Sequence, residues 1–285
     1  MSLLLAFLAV AGIDPEVEAV MGRRKTPEER RMRTHTTEGP KASIDPALED
    51  CVDLARRDSS AAVTRAHAWI ARSNGPAAQQ CLGFAQVQGE HWADAVAAFR
   101  EGAKLAGPDS PVAARLWAQA GNAALLGGDM AGAVAALDSA LAGDALPDGL
   151  ARGEAYLDRA RAHVALKDEK AARADLDNAL RFAPQDPLAW LLSATLARRM
   201  NDLPLAKRHI AEAASRANDD PSVALEQGVI AALDVDDFAA RTAFLKARRL
   251  GAGTPIESAA NAYLAQLGDT APPAPQPTNK PAPSR

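Results

Sequence analysis

A spacing of 34 residues governs this chain. Pro187, Pro221 and Pro255 stand at that interval, and so do Asp168, Asp202 and Asp236. Three more columns keep it: Ala172, Ala206 and Ala240; Leu176, Ile210 and Phe244; Ala179, Ala213 and Ala247. Five aligned columns on one period mark an internal repeat. A unit this short cannot enclose a core of its own, so the chain must bury its apolar faces by stacking neighbouring units.

Each column has a physical reason. Proline suits the first turn of a helix, where its missing N–H has no intrahelical acceptor to lose and its φ is already helical. About fifteen residues later an aspartate precedes a second run, where its carboxylate caps exposed amides and suits the positive helix end. The pattern therefore predicts two helices per unit. Small residues at Ala160, Ala194, Gly228 and Ala262 let paired helices approach closely, and Leu176, Ile210 and Phe244 fill the space beside them. Composition agrees, since 48% of residues are hydrophobic but only 4% aromatic, which favours closely packed helices over a sandwich or barrel.

The frame extends upstream. Trp117, Gly121, Asp129, Ala133, Leu137 and Ala140 match Tyr156, Ala160, Asp168, Ala172, Leu176 and Ala179 at a constant offset of 39, which places a five-residue insertion in the turn-rich loop 142–149. Gly83, Ala95 and Phe99 match Gly121, Ala133 and Leu137 at an offset of 38. Helix pairs with an aromatic column (Trp117, Tyr156, Trp190), a Leu-Gly pair at Leu82-Gly83 and alanines in fixed places resemble the tetratricopeptide repeat (TPR) proteins. Ala224 and Ser258 depart from the aromatic column.

The resemblance implies an all-α, right-handed α-solenoid of bacterial TPR type. It would occupy residues 45–268, with about six helix pairs, a degenerate first pair at 45–72 and a lone capping helix at 255–268. Outside it, residues 14–44 form a charged linker and residues 269–285 a proline-rich tail, both expected to be disordered. Residues 1–13 carry an apolar run too short to span a bilayer but fit for a secretory signal, with Ala9-Val10-Ala11 as a cleavage site. No basic residue precedes the run, so a disordered or wrongly started N-terminus stands beside that reading.

The resemblance puts Cys51 and Cys81, the only cysteines, on first helices of neighbouring units, where a disulfide would staple the first pair. Two buried thiols are the alternative. The disulfide and an exported, periplasmic chain support each other, against a cytoplasmic one.

For such proteins function lies in the groove lined by the first helices. Counting one helical face gives Phe84, Arg115 and Asn122, then Leu157 and Arg161, then Leu191, Thr195 and Arg198, and finally Val229. An apolar lining with scattered arginines suits a peptide or helix with apolar anchors and acidic groups. The clamp by which some of these repeats hold a chaperone's C-terminal carboxylate is incomplete: only Asn122 matches, while Ala118, Asp158, Leu188 and Leu192 do not.

Catalysis finds no support in the sequence, which lacks a phosphate-binding glycine loop, His-Glu-x-x-His, Gly-x-Ser-x-Gly and Cys-x-x-Cys. The histidines fall at unrelated phases of the repeat, and acid pairs such as Asp219-Asp220 sit where capping explains them. No cofactor or metal is expected, nor a stable membrane span. A net charge of −4 gives no general attraction to nucleic acid. The sequence therefore reads as a non-catalytic interaction scaffold, with an RNA-reading helical-repeat protein as the second reading and an enzyme as the third.

Overall fold

Proline and aspartate place the helices where the columns put them. The computed structural model describes residues 45–268. Among these there are thirteen helices and no strand. They are α1 (Pro46–Arg57), α2 (Ser59–Arg72), α3 (Pro76–Gln88), α4 (Trp92–Ala106), α5 (Pro111–Leu126), α6 (Met130–Leu141), α7 (Leu150–Ala165), α8 (Glu169–Phe182), α9 (Pro187–Arg199), α10 (Leu203–Arg216), α11 (Pro221–Leu233), α12 (Asp237–Leu250) and α13 (Pro255–Gln266). The signal-like run, the charged linker and the proline-rich tail lie outside the described residues.

Proline opens α1, α3, α5, α9, α11 and α13. Asp129, Asp168, Asp202 and Asp236 each accept a backbone N–H three residues on, at 2.8–3.0 Å. The same aspartates close the preceding helix. Their own N–H groups reach back to the carbonyls of Ala124, His163, Ala197 and Ala231 at 2.8–3.0 Å, and His91 does the same to Gln86. This six-to-one bond is the Schellman closure, which requires a left-handed residue just before it. That residue is Gly128 in one turn but Glu90, Lys167, Asn201 and Val235 in the others, at φ of 60–63°. In these five turns one residue thus ends one helix and begins the next, which constrains the angle of the pair.

Within each pair a small residue on the first helix meets a large one sixteen positions later. Gly83 faces Phe99, Gly121 faces Leu137 and Gly228 faces Phe244, and a methyl group built on any of these glycines would run into the facing side chain. Phe99, Leu137, Leu176 and Phe244 are all buried, and so is Ile210. Ala133, Ala172, Ala206 and Ala240 are each 0% exposed, because a longer side chain there would hold the helices apart.

The packing divides the described residues into two compact units, one ending at Arg216 and the other beginning at Ala217. In the first, α1–α10 pack as a series, each pair against the next. In the second, α11 and α12 form a pair closed by α13, whose Tyr263 stacks on Phe244 at 4.9 Å.

The insertion at 142–149 is a packed turn. Leu146 is 1% exposed and sits with Ala114, Leu137 and Ala155. Buried Arg152 holds the turn by donating to the Leu146 carbonyl from Nε (3.1 Å) and Nη2 (2.7 Å), and it pairs with Asp148 at 3.2 Å. A second guanidinium ties three helices together: Arg159 of α7 makes a fork to Asp175 of α8 (2.6 and 2.8 Å) and reaches Asp138 of α6 (2.7 Å).

The small-to-large lock has a direct test. Gly83→Ala is expected to lower stability by about 1–3 kcal/mol through overpacking against Phe99. In a Phe99→Leu background, which recreates the natural pairing of Ala160 with Leu176, the same change is expected to cost less than about 1 kcal/mol. Urea denaturation of the four proteins reads the cycle, and equal costs in both backgrounds would show that the two residues do not interlock.

Candidate functional site

The first three first-helices form a groove of about 920 Å³. Its floor is α3, through Pro76, Ala77, Gln80 and Phe84, and its walls are α1 and α5. The α1 residues that line it recur at helical spacing, Leu48 and Val52 being apolar and Asp45, Glu49, Asp53 and Arg56 charged. From the other side come Val112 and Arg115 of α5, with Leu105 at the end of α4. Leu105 and Val112 are exposed large apolar residues, unusual on a fully solvated surface.

The α1 helix is held against α3 by packing of Ala55 with Ala85 and by a covalent bond. Cys51 and Cys81 are joined as a disulfide, with Cα atoms 5.8 Å apart, and both are fully buried with Ala66. Of the two readings the cysteines allowed, the disulfide is the one the structure holds.

Most polar groups of the groove already have work. Asp45 caps α1 through the Ala47 N–H (2.9 Å), Ser110 caps α5 through Val112 (3.1 Å), and Asp53 accepts from Arg56 (2.7 Å). Gln80 of α3 donates to Gln119 of α5 at 3.1 Å, fixing floor to wall. Phe84 is half-buried and meets Phe99 edge-on at 5.6 Å. Glu49 and Arg115, on opposite walls, are exposed and have no partner among the described residues.

The structure places the residues chosen from sequence in different surroundings. Phe84 and Arg115 line this groove together. Asn122 is exposed and donates to Asp158 at 3.1 Å, and Arg161 reaches the other oxygen of the same carboxylate at 3.1 Å. Asp158 is thereby neutralised by its own neighbours. Arg198 is half-exposed. Leu157, Leu191 and Thr195 are buried, the Thr195 hydroxyl donating to the Leu191 carbonyl at 3.1 Å, and Val229 is buried in the second unit.

One polar pair escaped the sequence reading. Ser193 of α9 and Nδ1 of His209 of α10 lie 2.6 Å apart, and the imidazole packs edge-on to Trp190 at 5.1 Å. Ser193 is 0% exposed, so the pair braces two helices and offers no nucleophile to a substrate. Arg159 and Asp175 occupy the same two columns one unit earlier. Their sixteen-residue separation, that of the small-to-large lock, was the signal that could have found both. Among the described residues no group of His, Cys, Asp and Glu could hold a metal ion, and no helix is long and apolar enough to cross a membrane.

With fold and groove in hand, the class is a helical-repeat protein with an apolar concave site. Its particular fold is that of the TPR proteins. The structure is similar to that of PilF of Pseudomonas aeruginosa, with a TM-score of 0.63 at 16% identity over 77% of this chain and 98% of the other. PilW, a type IV pilus biogenesis factor, gives a TM-score of 0.61 at 19% identity over 78% and 100%. YrrB, a TPR protein with an unusual peptide-binding site, gives 0.53 at 16% over 70% and 97%. No family model matches the sequence, and no curated protein matches it.

Two outcomes follow from the geometry. Replacing both cysteines by alanine opens a covalent loop whose ends are 30 residues apart, and is expected to cost about 3–4 kcal/mol in the chain-entropy account. Amide hydrogen exchange should then rise in α1 and α2 while α9 keeps its protection; unchanged exchange in α1 would mean packing alone holds it.

The second outcome concerns pH. Burial, then the nearby Arg173 and Arg208, lowers the pKa of His209 below its ordinary 6.5. The folded state therefore favours neutral imidazole. Its contribution to stability is complete above 6.5 and is lost as pH falls through the folded value. Between about pH 7.5 and about pH 5.5 the wild-type melting temperature should fall more than that of His209→Gln, and parallel curves would remove His209 as the cause.

Proposed function

We propose that this chain is a non-catalytic scaffold that captures a segment of a partner protein in the groove of its first helices. The observation that carries this reading is the groove itself: an apolar floor around Phe84, two walls of fixed helices, and exposed Leu105 and Val112 at its edge. Nothing in that lining resembles a reacting centre, and its apolar character suits a side chain anchor better than a nucleic-acid backbone. The fold shared with YrrB, a peptide-binding TPR protein, supports the same use.

The setting we infer is the bacterial periplasm, with the partner in an envelope complex. The Cys51–Cys81 disulfide supports this, since such bonds persist in oxidising compartments. So does the shared fold with PilW, a type IV pilus biogenesis factor.

The test is site-specific photo-crosslinking in native cells. A benzophenone-bearing phenylalanine in place of Phe84 is expected to give a discrete adduct, whereas the same group in place of exposed Ser139 of α6 should not. Adducts of equal yield at both positions would sink groove capture. Mass spectrometry of the adduct also reads the compartment, because a cytosolic partner would overturn the periplasmic assignment.

A further inference from the structure

The charges of the first groove carry information about the partner that its apolar floor does not. The acidic residues of this lining all come from one wall: Asp45, Glu49 and Asp53, all on or capping α1. Asp45 is engaged by the helix end and Asp53 by Arg56, which leaves Glu49 as the exposed carboxylate of that wall with no partner among the described residues. It lies one turn from Val52 and next to Leu48, so a group meeting Glu49 has its neighbour over the apolar strip. Arg115, alone on the opposite wall, makes that side unfavourable for cations. The arginine column that suggested an acidic partner is weaker than its sequence implied, since Arg161 already answers Asp158.

Resting on the scaffold reading above, we propose that this groove selects a partner segment carrying a single lysine or arginine about one helical turn from a bulky apolar side chain. The cation meets Glu49 and the apolar group sits against Phe84. The occupant is thus a mono-basic amphipathic peptide, and a polybasic one gains nothing because Arg115 repels the second charge.

The experiment uses the full chain and fluorescent peptides that share one apolar core and differ in a single flanking residue: lysine, glutamate or alanine. A fourth probe carries four lysines. Fluorescence anisotropy at low salt is expected to rank lysine above glutamate by about fivefold, the size an exposed ion pair supports. The four-lysine probe should bind no better than the single-lysine one. The preference should shrink at about 0.5 M salt. Glu49→Lys should invert the ranking with only a small fall in the unfolding midpoint, from loss of an acidic group in the first turn of α1, and Phe84→Ala should weaken all four probes.

Equal affinity for the lysine and glutamate probes, or a lysine preference that survives Glu49→Lys, would overturn the proposal while leaving groove capture standing. Failure of every probe to bind the wild-type chain, or binding that Phe84→Ala leaves unchanged, would sink the scaffold reading with it. An intramolecular crosslink from position 84 to residues 1–44 would make the chain's own segment the occupant and overturn the choice of an external partner.

Discussion

A missing side chain, placed sixteen residues before a large one, is the constraint on which the structure depends. Gly83 against Phe99, Gly121 against Leu137 and Gly228 against Phe244 set how near two helix axes come. Buried alanine takes the same column at Ala160, sixteen residues before Leu176, and at Ala194, sixteen before Ile210. Once that distance is fixed, the buried alanines beside it are the only size that fits, and the chain fills its interior with few aromatic residues. The Schellman turns then add orientation to distance. Each helix pair is in this sense a rigid part, and variety between pairs is confined to the faces they leave over.

That division explains which features were legible in the sequence. Prolines at helix starts and aspartates at caps act within a turn of where they stand, so their chemistry can be read locally. The left-handed residues could not be: Glu90, Lys167 and Val235 carry none of the signature that Gly128 does, and the fold imposes the conformation on them. Leu146 and Arg152 were hidden for another reason. Their partners come from α5, α6 and the loop itself, and a turn-rich composition says nothing of a plug beneath it.

The candidate site was legible in part. Phe84 and Arg115 do share a groove, because first helices of successive units stand side by side. Counting one face of a helix could not tell which of its residues face the open side and which face the next helix, so Leu157, Leu191 and Thr195 were grouped with residues that solvent reaches. The acidic wall was missed because α1 belongs to the most degenerate pair, whose columns do not align with the rest. Beside α3 it is held by the Cys51–Cys81 bond and by Ala55 packed on Ala85, contacts between side chains that no column of the repeat marks. The same array that resembles PilF and PilW in fold therefore carries, in its first pair, a surface of its own.

The burial of the Cys51–Cys81 bond has a consequence for time. Neither sulfur is open to solvent, so neither an oxidant nor a reductant can act on the closed pair. Exchange at the bond therefore waits on an opening of the first described pair that exposes the sulfurs. Its lifetime under reducing conditions is then governed by the opening frequency of α1 and α2. A brief reducing pulse would pass such a molecule by, and a prolonged one would convert it, so the first pair acts as a slow integrator of its redox surroundings.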